Sequence, residues 1–227
     1  MRWRRAKRGF DLVVAVPLLL VTLPAQLVVA AVVARRLGRP VLFSQQRPGL
    51  GGEPFTLYKF RTMVPVNEAL GLVDDGARMT DCGRWLRSTS LDELPTLWNV
   101  VRGDMSLVGP RPLLVAYLPL YTPTEARRHD VRPGVTGLAQ VSGRNAISWD
   151  DRLRLDVEYV DRASFALDVS ILWRTVMSVG RRQGISAPDH DTMPLLTRKL
   201  TDSNVDHVTP MSIPSGALTT ARPEEDG

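Results

Sequence analysis

The sequence has little cysteine, lysine or histidine, and each shortage excludes a kind of site. Its 227 residues include one cysteine, Cys82, so the chain cannot form an intramolecular disulfide or a zinc site built from cysteines. The three histidines are far apart in the sequence. Nearly all the positive charge is arginine, since only Lys7, Lys59 and Lys199 are lysine. Arginine suits bidentate phosphate binding, although genomic base composition explains the same bias.

The formal net charge of +5 favours anionic partners without choosing among nucleic acid, anionic lipid and phosphorylated small molecules. We do not expect nucleic-acid binding, because the positive charge is spread along the chain and no basic stripe is interleaved with aromatic residues. The length is enough for one domain with a hydrophobic core, with or without appendages.

One long apolar run without charge extends from Leu12 to Ala34. As a straight helix it would reach across the roughly 30 Å hydrocarbon core of a bilayer. Pro17 and Pro24 predict a sharp bend, and Thr22 and Gln26 are placed to satisfy backbone carbonyls that proline frees. Both flanks are basic, and basic flanks prefer the cytoplasmic side. We therefore predict a re-entrant membrane helix broken at Pro24, with a kinked spanning helix as the alternative.

The segment from Pro40 to Met63 predicts two short strands joined by a glycine-rich turn. Near its end, Lys59 and Arg61 alternate with aromatic residues, which would place both cations on one face of a strand. That face is either solvated or directed at an anion.

Two features lie in the C-terminal part of the chain. A helix with an apolar face that includes Phe165 and Trp173 is expected to lie in the core, or else in a membrane interface. From Pro188 onward no hydrophobic periodicity is present, which predicts a disordered tail.

The candidate chemistry centres on two adjacent carboxylates, Asp92 and Glu93, with Arg87 before them and Arg111 after them. Ser90 and Glu93 have the spacing of a capping box, so helix capping with surface ion pairs would explain the same residues. However, Arg111 lies in the stiff turn "GPRPL", which suits a phosphate clamp. Adjacent carboxylates suit a divalent cation together with a nucleophile or base. Combined with a membrane segment, these residues suggest phosphoryl chemistry at a bilayer surface.

Several motifs in order resemble the bacterial sugar transferase family, the monotopic polyprenyl-phosphate phosphoglycosyl transferases in their short, single-domain form. They are "KRGFDL", "PVLFSQQRPGLGGEPFTLYKFRTM", "LRSTSLDELPTLWNVVRGDMSLVGPRPLL", "YLPLY", "RHDVRPGVTGLAQVSGRN" and "YVDRASFALD", and they cover Lys7 to about Ile185. The resemblance implies transfer of a sugar-1-phosphate from a UDP-sugar to undecaprenyl phosphate, with release of UMP, as the step that initiates assembly of a surface glycan or glycoprotein.

The resemblance also implies roles for individual residues. Asp92 would attack the β-phosphate to form a covalent phosphosugar intermediate and would bind Mg²⁺, while Glu93 would orient groups or assist as acid or base. The expected phosphate-binding residues are Arg87, Arg111, Lys59 and Arg61. Arg144 and Asn145 are expected near the sugar or nucleotide. The segment "GRNAISW" resembles the branch that uses N-acetylated amino and diamino sugars, such as diacetylbacillosamine.

The expected fold is α+β and mostly helical, with a re-entrant membrane helix, a small β-hairpin and interfacial amphipathic helices around one catalytic domain. We expect a membrane segment over 1–39, a phosphoglycosyl transferase domain over 40–187 and a disordered tail over 188–227. The protein would lie on the cytoplasmic face of the bacterial inner membrane, in contact with its lipids, and downstream glycosyltransferases are candidate partners.

One departure from the family pattern concerns the membrane helix, where Leu23 precedes Pro24 in place of the usual serine. Three alternatives stay open from the sequence. The donor sugar could instead be UDP-glucose or UDP-galactose. The enzyme could instead be a lipid-linked phosphatase or another glycosyl transferase, and glycosyl transfer would release UDP. The chain could also be a non-catalytic, membrane-anchored basic protein, in which Asp92 and Glu93 are only helix caps.

Overall fold

The computed structural model describes residues 2–143, 147–180 and 196, and within these ranges the chain is mostly helical with two small sheets. This confirms the predicted α+β class at that level. The helices are α1 Arg2–Arg36, α2 Asp75–Arg78, α3 Asp81–Ser88, α4 Thr96–Arg102, α5 Pro123–Ala126, α6 Leu138–Ser142, α7 Trp149–Arg162 and α8 Phe165–Gly180. The strands are β1 Leu42–Pro48, β2 Pro54–Phe60, β3 Ser106–Val108 and β4 Gly134–Thr136.

Helix α1 contains the apolar run and continues without interruption through Pro17 and Pro24. The predicted break at Pro24 is therefore not seen as an end of the helix. Polar side chains supply hydrogen bonds around the proline: the Thr22 hydroxyl donates to the carbonyl of Leu18 at 2.7 Å, and Gln26 Nε2 donates to Thr22 Oγ1 at 3.0 Å. Within the described ranges, Ala6–Arg36 is the one segment long and apolar enough to cross a membrane, with a mean hydropathy of 2.5.

Helix α1 packs on the rest of the molecule at both ends and is exposed in the middle. Ala15 and Val33 are fully buried, whereas Leu20 and Val21 between them are 63% and 77% exposed. Polar contacts secure the N-terminal end. They are an ion pair from Lys7 to Asp168 at 2.6 Å, hydrogen bonds from Arg8 to the carbonyls of Val100 and Val101 at 2.6 and 2.8 Å, and a hydrogen bond from Ser106 to Asp11 at 3.0 Å.

The predicted hairpin is present, with β1 antiparallel to β2 and Leu42 opposite Phe60. Helix α4 lies along the outer edge of β2 and substitutes for a third strand. The fully buried Asn99 accepts from the amide of Tyr58 at 3.2 Å and donates to the carbonyl of Thr56 at 2.7 Å. The Thr96 hydroxyl donates to the carbonyl of Tyr58 at 3.0 Å. These bonds satisfy backbone groups of β2 that would otherwise lack partners.

The second sheet is a short parallel pair, β3 with β4, which the sequence did not predict. A core of Val100, Met105, Val108, Tyr159 and Ile171 joins this sheet to α4, α7 and α8. Of the predicted disordered tail, Leu196 is the one residue within the described ranges. Leu196 is buried in a second cluster, and its amide donates to the Tyr117 hydroxyl at 3.3 Å. The other residues beyond 180 lie outside the described residues.

Candidate active site

The two carboxylates lie in a tight 3-10 turn, Leu91–Glu93, that joins α3 to α4. The preceding Ser90 has a φ of 57°, a left-handed conformation that non-glycine residues rarely adopt. Its side chain makes no capping hydrogen bond, so the capping box predicted for Ser90 and Glu93 is wrong. The reason is that the Glu93 carboxylate turns away from the helix end to bind two cations. Backbone strain at a turn that carries candidate reactive groups is typical of functional sites.

Glu93 is held by two cations from different parts of the fold. Its Oε1 accepts from Lys59 Nζ, on β2, at 2.6 Å and from Arg111 Nη2 at 2.7 Å. Burial alone would raise the pKa of Glu93, but the charges of Arg111 and Lys59 and their hydrogen bonds outweigh burial and lower it. Glu93 therefore stays ionised at neutral pH, and its position is fixed.

Asp92 has the opposite surroundings. It is 7% exposed, and its carboxylate receives no hydrogen bond or ion pair from any other described residue. Burial and the adjacent negative charge of Glu93 raise its pKa to about 6, despite the opposing charges of Lys59, Arg87 and Arg111. A desolvated carboxylate without protein partners is a reactive nucleophile or a ligand for a cation.

The structure brings Arg87 and Arg111 to this site, as the sequence predicts for their positions. Arg87, in the last turn of α3, donates from Nε to the Thr62 hydroxyl at 3.2 Å, and its charge acts on Asp92. The Arg111 side chain is 37% exposed. Gly109 sets the turn before Arg111, since a Cβ there would come within 2.4 Å of the Arg132 carbonyl. The close packing at Gly109 therefore fixes the turn "GPRPL", which carries Arg111.

The remaining predicted residues are placed differently. Arg61 lies just past β2, and its guanidinium donates to the carbonyls of Leu37, Gly38 and Arg39 at the end of α1. In this structure Arg61 is thus engaged at the end of α1, and its expected role in phosphate binding stays a prediction. The strand ends at Phe60, so the alternation that would put both cations on one face does not continue. Arg144 and Asn145 lie outside the described residues.

The sequence did not predict a buried ion pair that contacts the backbone at Arg111. Arg128 and Asp156 pair at 2.7 Å with side chains 1% and 2% exposed. Arg128 also donates to the backbone carbonyl of Arg111 at 2.7 Å. Because Arg128 lies in the charged run "EARRHD", the sequence alone resembles a solvated surface. In the fold Arg128 is buried instead, and its bonds stabilise the loop that carries Arg111.

The donor set near Asp92 fits a Mg²⁺ ion that arrives with a phosphate ligand. No group of three or more metal-binding side chains occurs within the described ranges, so the protein does not form a complete cage there. Asp92 supplies one carboxylate that receives no hydrogen bond within the described part of the chain, whereas Glu93 is engaged by Lys59 and Arg111. Mg²⁺ is commonly held by one or two carboxylates together with substrate phosphates and water.

The arrangement can bind a phosphorylated molecule and attack it. Lys59, Arg87 and Arg111 surround the carboxylates with positive charge, which offsets the repulsion between an anionic substrate and an anionic nucleophile. The profile that describes bacterial sugar transferases matches residues 2–182. The chain belongs to the bacterial sugar transferase family.

Similarity to curated proteins agrees with this membership. The chain is 55% identical over 82% of its length to the uncharacterized sugar transferase EpsL of Bacillus subtilis (strain 168), covering 93% of that protein. It is 41% identical over 76% of its length to the UDP-glucose:undecaprenyl-phosphate glucose-1-phosphate transferase of Caulobacter vibrioides, covering 69% of that protein. It is 39% identical over 80% of its length to the undecaprenyl-phosphate galactose phosphotransferase of Salmonella typhimurium, but covers 42% of that longer protein.

Proposed function

We propose that this bacterial sugar transferase moves a sugar-1-phosphate from a UDP-sugar to undecaprenyl phosphate and releases UMP. The observation that carries the proposal is the unequal pair of carboxylates. Asp92 is buried without a hydrogen-bond or ion-pair partner among the described residues, and Glu93 beside it is bound by Lys59 and Arg111. The named reactions of the Caulobacter and Salmonella relatives support the same donor class and acceptor.

In the first displacement, an oxygen of Asp92 attacks the sugar-linked phosphorus of the donor. The bond from that phosphorus to the bridging oxygen breaks, and the electron pair stays on the bridging oxygen, which leaves as part of UMP. The product is a phosphosugar joined to Asp92 through an acyl phosphate, the mixed anhydride of the carboxylate and the phosphate. Arg111, which is partly exposed beside Asp92, and Arg87 stabilise the charge that spreads over the phosphate oxygens.

In the second displacement, a phosphate oxygen of undecaprenyl phosphate attacks the same phosphorus, and the bond to Asp92 breaks. The carboxylate is regenerated, and the lipid carries a diphosphate-linked sugar. Glu93 serves as an orienting group: its lowered pKa makes it a poor proton donor at neutral pH, and its contacts hold Lys59 and Arg111 in place.

Mg²⁺ is part of the proposal. Asp92 would be the protein ligand, with phosphate oxygens of the donor completing the site. When bound, the cation supplies charge neutralisation at the diphosphate.

We further propose that α1 is re-entrant and that the globular part lies on the cytoplasmic face. The proposal is supported by the packing of α1, which is buried against that part at Ala15, near the start of the apolar run, and at Val33, near its end. A helix that crossed the bilayer would place its ends on opposite faces. The exposed residues between them would enter the membrane.

The identity of the donor sugar is the most specific part of the proposal. An N-acetylated amino or diamino sugar is predicted from the segment 143–149, of which Arg144 to Ala146 lie outside the described residues. The relatives named for glucose and galactose provide the alternative.

The test is UMP release by purified protein in nanodiscs with Mg²⁺, undecaprenyl phosphate and a panel of UDP-sugars. We expect turnover with one class of sugar, loss of turnover in Asp92→Asn, and retention in Asp151→Asn, a matched change at an exposed carboxylate on α7. UDP as the product would indicate glycosyl transfer instead. Equal turnover in Asp92→Asn would contradict the assigned nucleophile, and no turnover with any sugar would favour a non-catalytic anchor.

A further inference from the structure

The hairpin presents a second cation on the same face as Lys59. In the antiparallel register, Lys59 lies opposite Phe43, and Arg47 lies opposite Phe55. Phe55 and Lys59 are four residues apart on β2, so alternation of side chains puts Arg47 and Lys59 on one face, roughly 13 Å apart along the strands. This is the face that directs Lys59 to Glu93.

Arg47 is a partly buried cation that the protein leaves incompletely compensated. Its Nη2 donates to the neutral Gln45 side chain at 2.6 Å, and its Nε is buried without a hydrogen-bond partner among the described residues. None of the ion pairs in the described part of the chain includes it. Burial, and then the positive charge of Arg111, lower the pKa of Arg47 to about 10.

Two carboxylates in this part of the fold already have cationic partners. Asp156 is paired with the buried Arg128, and Glu93 is shared by Lys59 and Arg111. Arg47 is close enough to Arg111 for the two positive charges to repel, and no carboxylate among the described residues forms an ion pair with Arg47. Keeping such a charge away from water is unfavourable unless an anion joins it.

We propose that Arg47, together with Arg111, binds the nucleotide-side phosphate of the donor, the phosphate that leaves as UMP. The inference rests on the proposed function and adds a binding residue to it. The sugar-linked phosphate must lie at Asp92, so the second phosphate of the same donor extends away from it. Lys59 and Arg111 are both bound to Glu93 beside Asp92, and Arg47 lies farther along the same face of the hairpin, so a cation is available for each phosphate.

The chemistry of the first displacement favours a nucleotide phosphate over the lipid phosphate here. The electron pair released in that step stays on the nucleotide-side phosphate. A cation at that phosphate therefore stabilises the leaving group.

The test compares Arg47→Gln with Arg154→Gln, a matched change at an arginine on α7 whose side chain is 64% exposed. UMP binding is measured by calorimetry in nanodiscs, and KM is measured for the UDP-sugar and for undecaprenyl phosphate. We expect UMP binding and the KM for the UDP-sugar to worsen by about 10- to 100-fold in Arg47→Gln, as for loss of one charged hydrogen bond. The KM for undecaprenyl phosphate and the melting temperature should stay close to wild type, and Arg154→Gln should change nothing.

Three results would overturn the assignment. Wild-type affinity for UMP in Arg47→Gln would show that Arg47 does not touch the nucleotide. A raised KM for undecaprenyl phosphate alone would assign Arg47 to the lipid phosphate. A wild-type protein that neither binds nor releases UMP would remove the proposed function and this inference together, whereas the first two results leave the proposed function standing.

Discussion

At the scale of single residues, the site depends on a contrast between two neighbours in the sequence. Asp92 and Glu93 share the same backbone turn, yet one carboxylate is desolvated and the other is bound by two cations. The sequence identified this pair and the arginines around it. The resemblance to the family assigned a separate role to each carboxylate. The residues alone did not, because the partners of Glu93 come from β2 and from the turn after β3, which are distant in the chain.

The raised pKa of Asp92 predicts a change in stability with pH. Since its folded-state pKa is about 6, above the ordinary value near 4, the folded protein holds the proton more tightly than the unfolded chain between these pH values. The ionised carboxylate therefore lowers the free energy of unfolding above pH 6, and this penalty disappears below about pH 4. In metal-free buffer, Asp92→Asn should raise the free energy of unfolding by about 2–3 kcal/mol at pH 7.5.

Melting temperatures of wild type and Asp92→Asn, measured from pH 4 to pH 8, check this. The two curves should converge toward pH 4, and Asp151→Asn should show no gain at pH 7.5. A constant difference across the range, or a less stable Asp92→Asn at pH 7.5, would contradict a desolvated carboxylate.

At the scale of elements, helix α4 sets the position of β2 and therefore of Lys59. Asn99 is fully buried and bonds to both Tyr58 and Thr56 of the strand. The hairpin was predictable, because its strands are adjacent and the turn is rich in glycine. The pairing of α4 with the edge of β2 was not predictable, because an asparagine inside a short apolar helix does not indicate which backbone groups it will bind. The parallel pair of β3 and β4 was not predicted either, because each strand has only three residues and the two strands are far apart in the sequence.

Removal of the Asn99 side chain should therefore weaken the whole hairpin. Asn99→Ala leaves the Tyr58 amide and the Thr56 carbonyl without partners, which predicts a loss of about 2–4 kcal/mol in the free energy of unfolding. Denaturant titration measures it, with Asn67→Ala in an exposed loop as the matched control. A loss no larger than that of the control would contradict the role of α4 as an edge for β2.

Helix α8 is predicted to lie against the membrane. Phe165, Val169, Trp173 and Val176 are 57%, 45%, 65% and 62% exposed, and they recur at helical spacing. Brominated lipids in nanodiscs should quench Trp173, so Trp173→Phe should reduce total quenching clearly. Trp149→Phe, at a ring that packs on Tyr117, should reduce it little. Equal effects of the two changes would place α8 away from the lipid.

At the scale of the whole molecule, polar contacts join the N-terminal helix to the catalytic part. Lys7, Arg8 and Asp11 of the motif "KRGFDL" each bind a different element, and Arg61 holds the carbonyls at the other end of α1. The contacts of Arg61 could not be predicted from the sequence. Charge and strand periodicity predict a phosphate as its partner, whereas in this structure its guanidinium donates to carbonyls at the end of the helix. A re-entrant helix held in this way would fix the height of Asp92 above the bilayer.

Accessibility from the two membrane faces checks that topology. In a Cys82→Ser background, Arg5→Cys and Arg39→Cys should both react with an impermeant maleimide in inverted vesicles and be protected in right-side-out vesicles. Arg154→Cys, on the exposed surface of α7, reports the face on which the catalytic part lies. Reaction of the two flanking positions from opposite faces would establish a spanning helix and contradict the re-entrant one.

The most direct test of the central claim is to look for the phosphosugar on Asp92. The enzyme is mixed with Mg²⁺ and the active UDP-sugar, labelled in its β-phosphate, without any lipid acceptor. We predict one burst of UMP of at most one equivalent per protein, with the label retained on the Asp92 peptide, absent from Asp92→Asn and discharged by undecaprenyl phosphate. UMP release that always requires the lipid, with no label on wild-type protein, would contradict the covalent mechanism and indicate direct transfer.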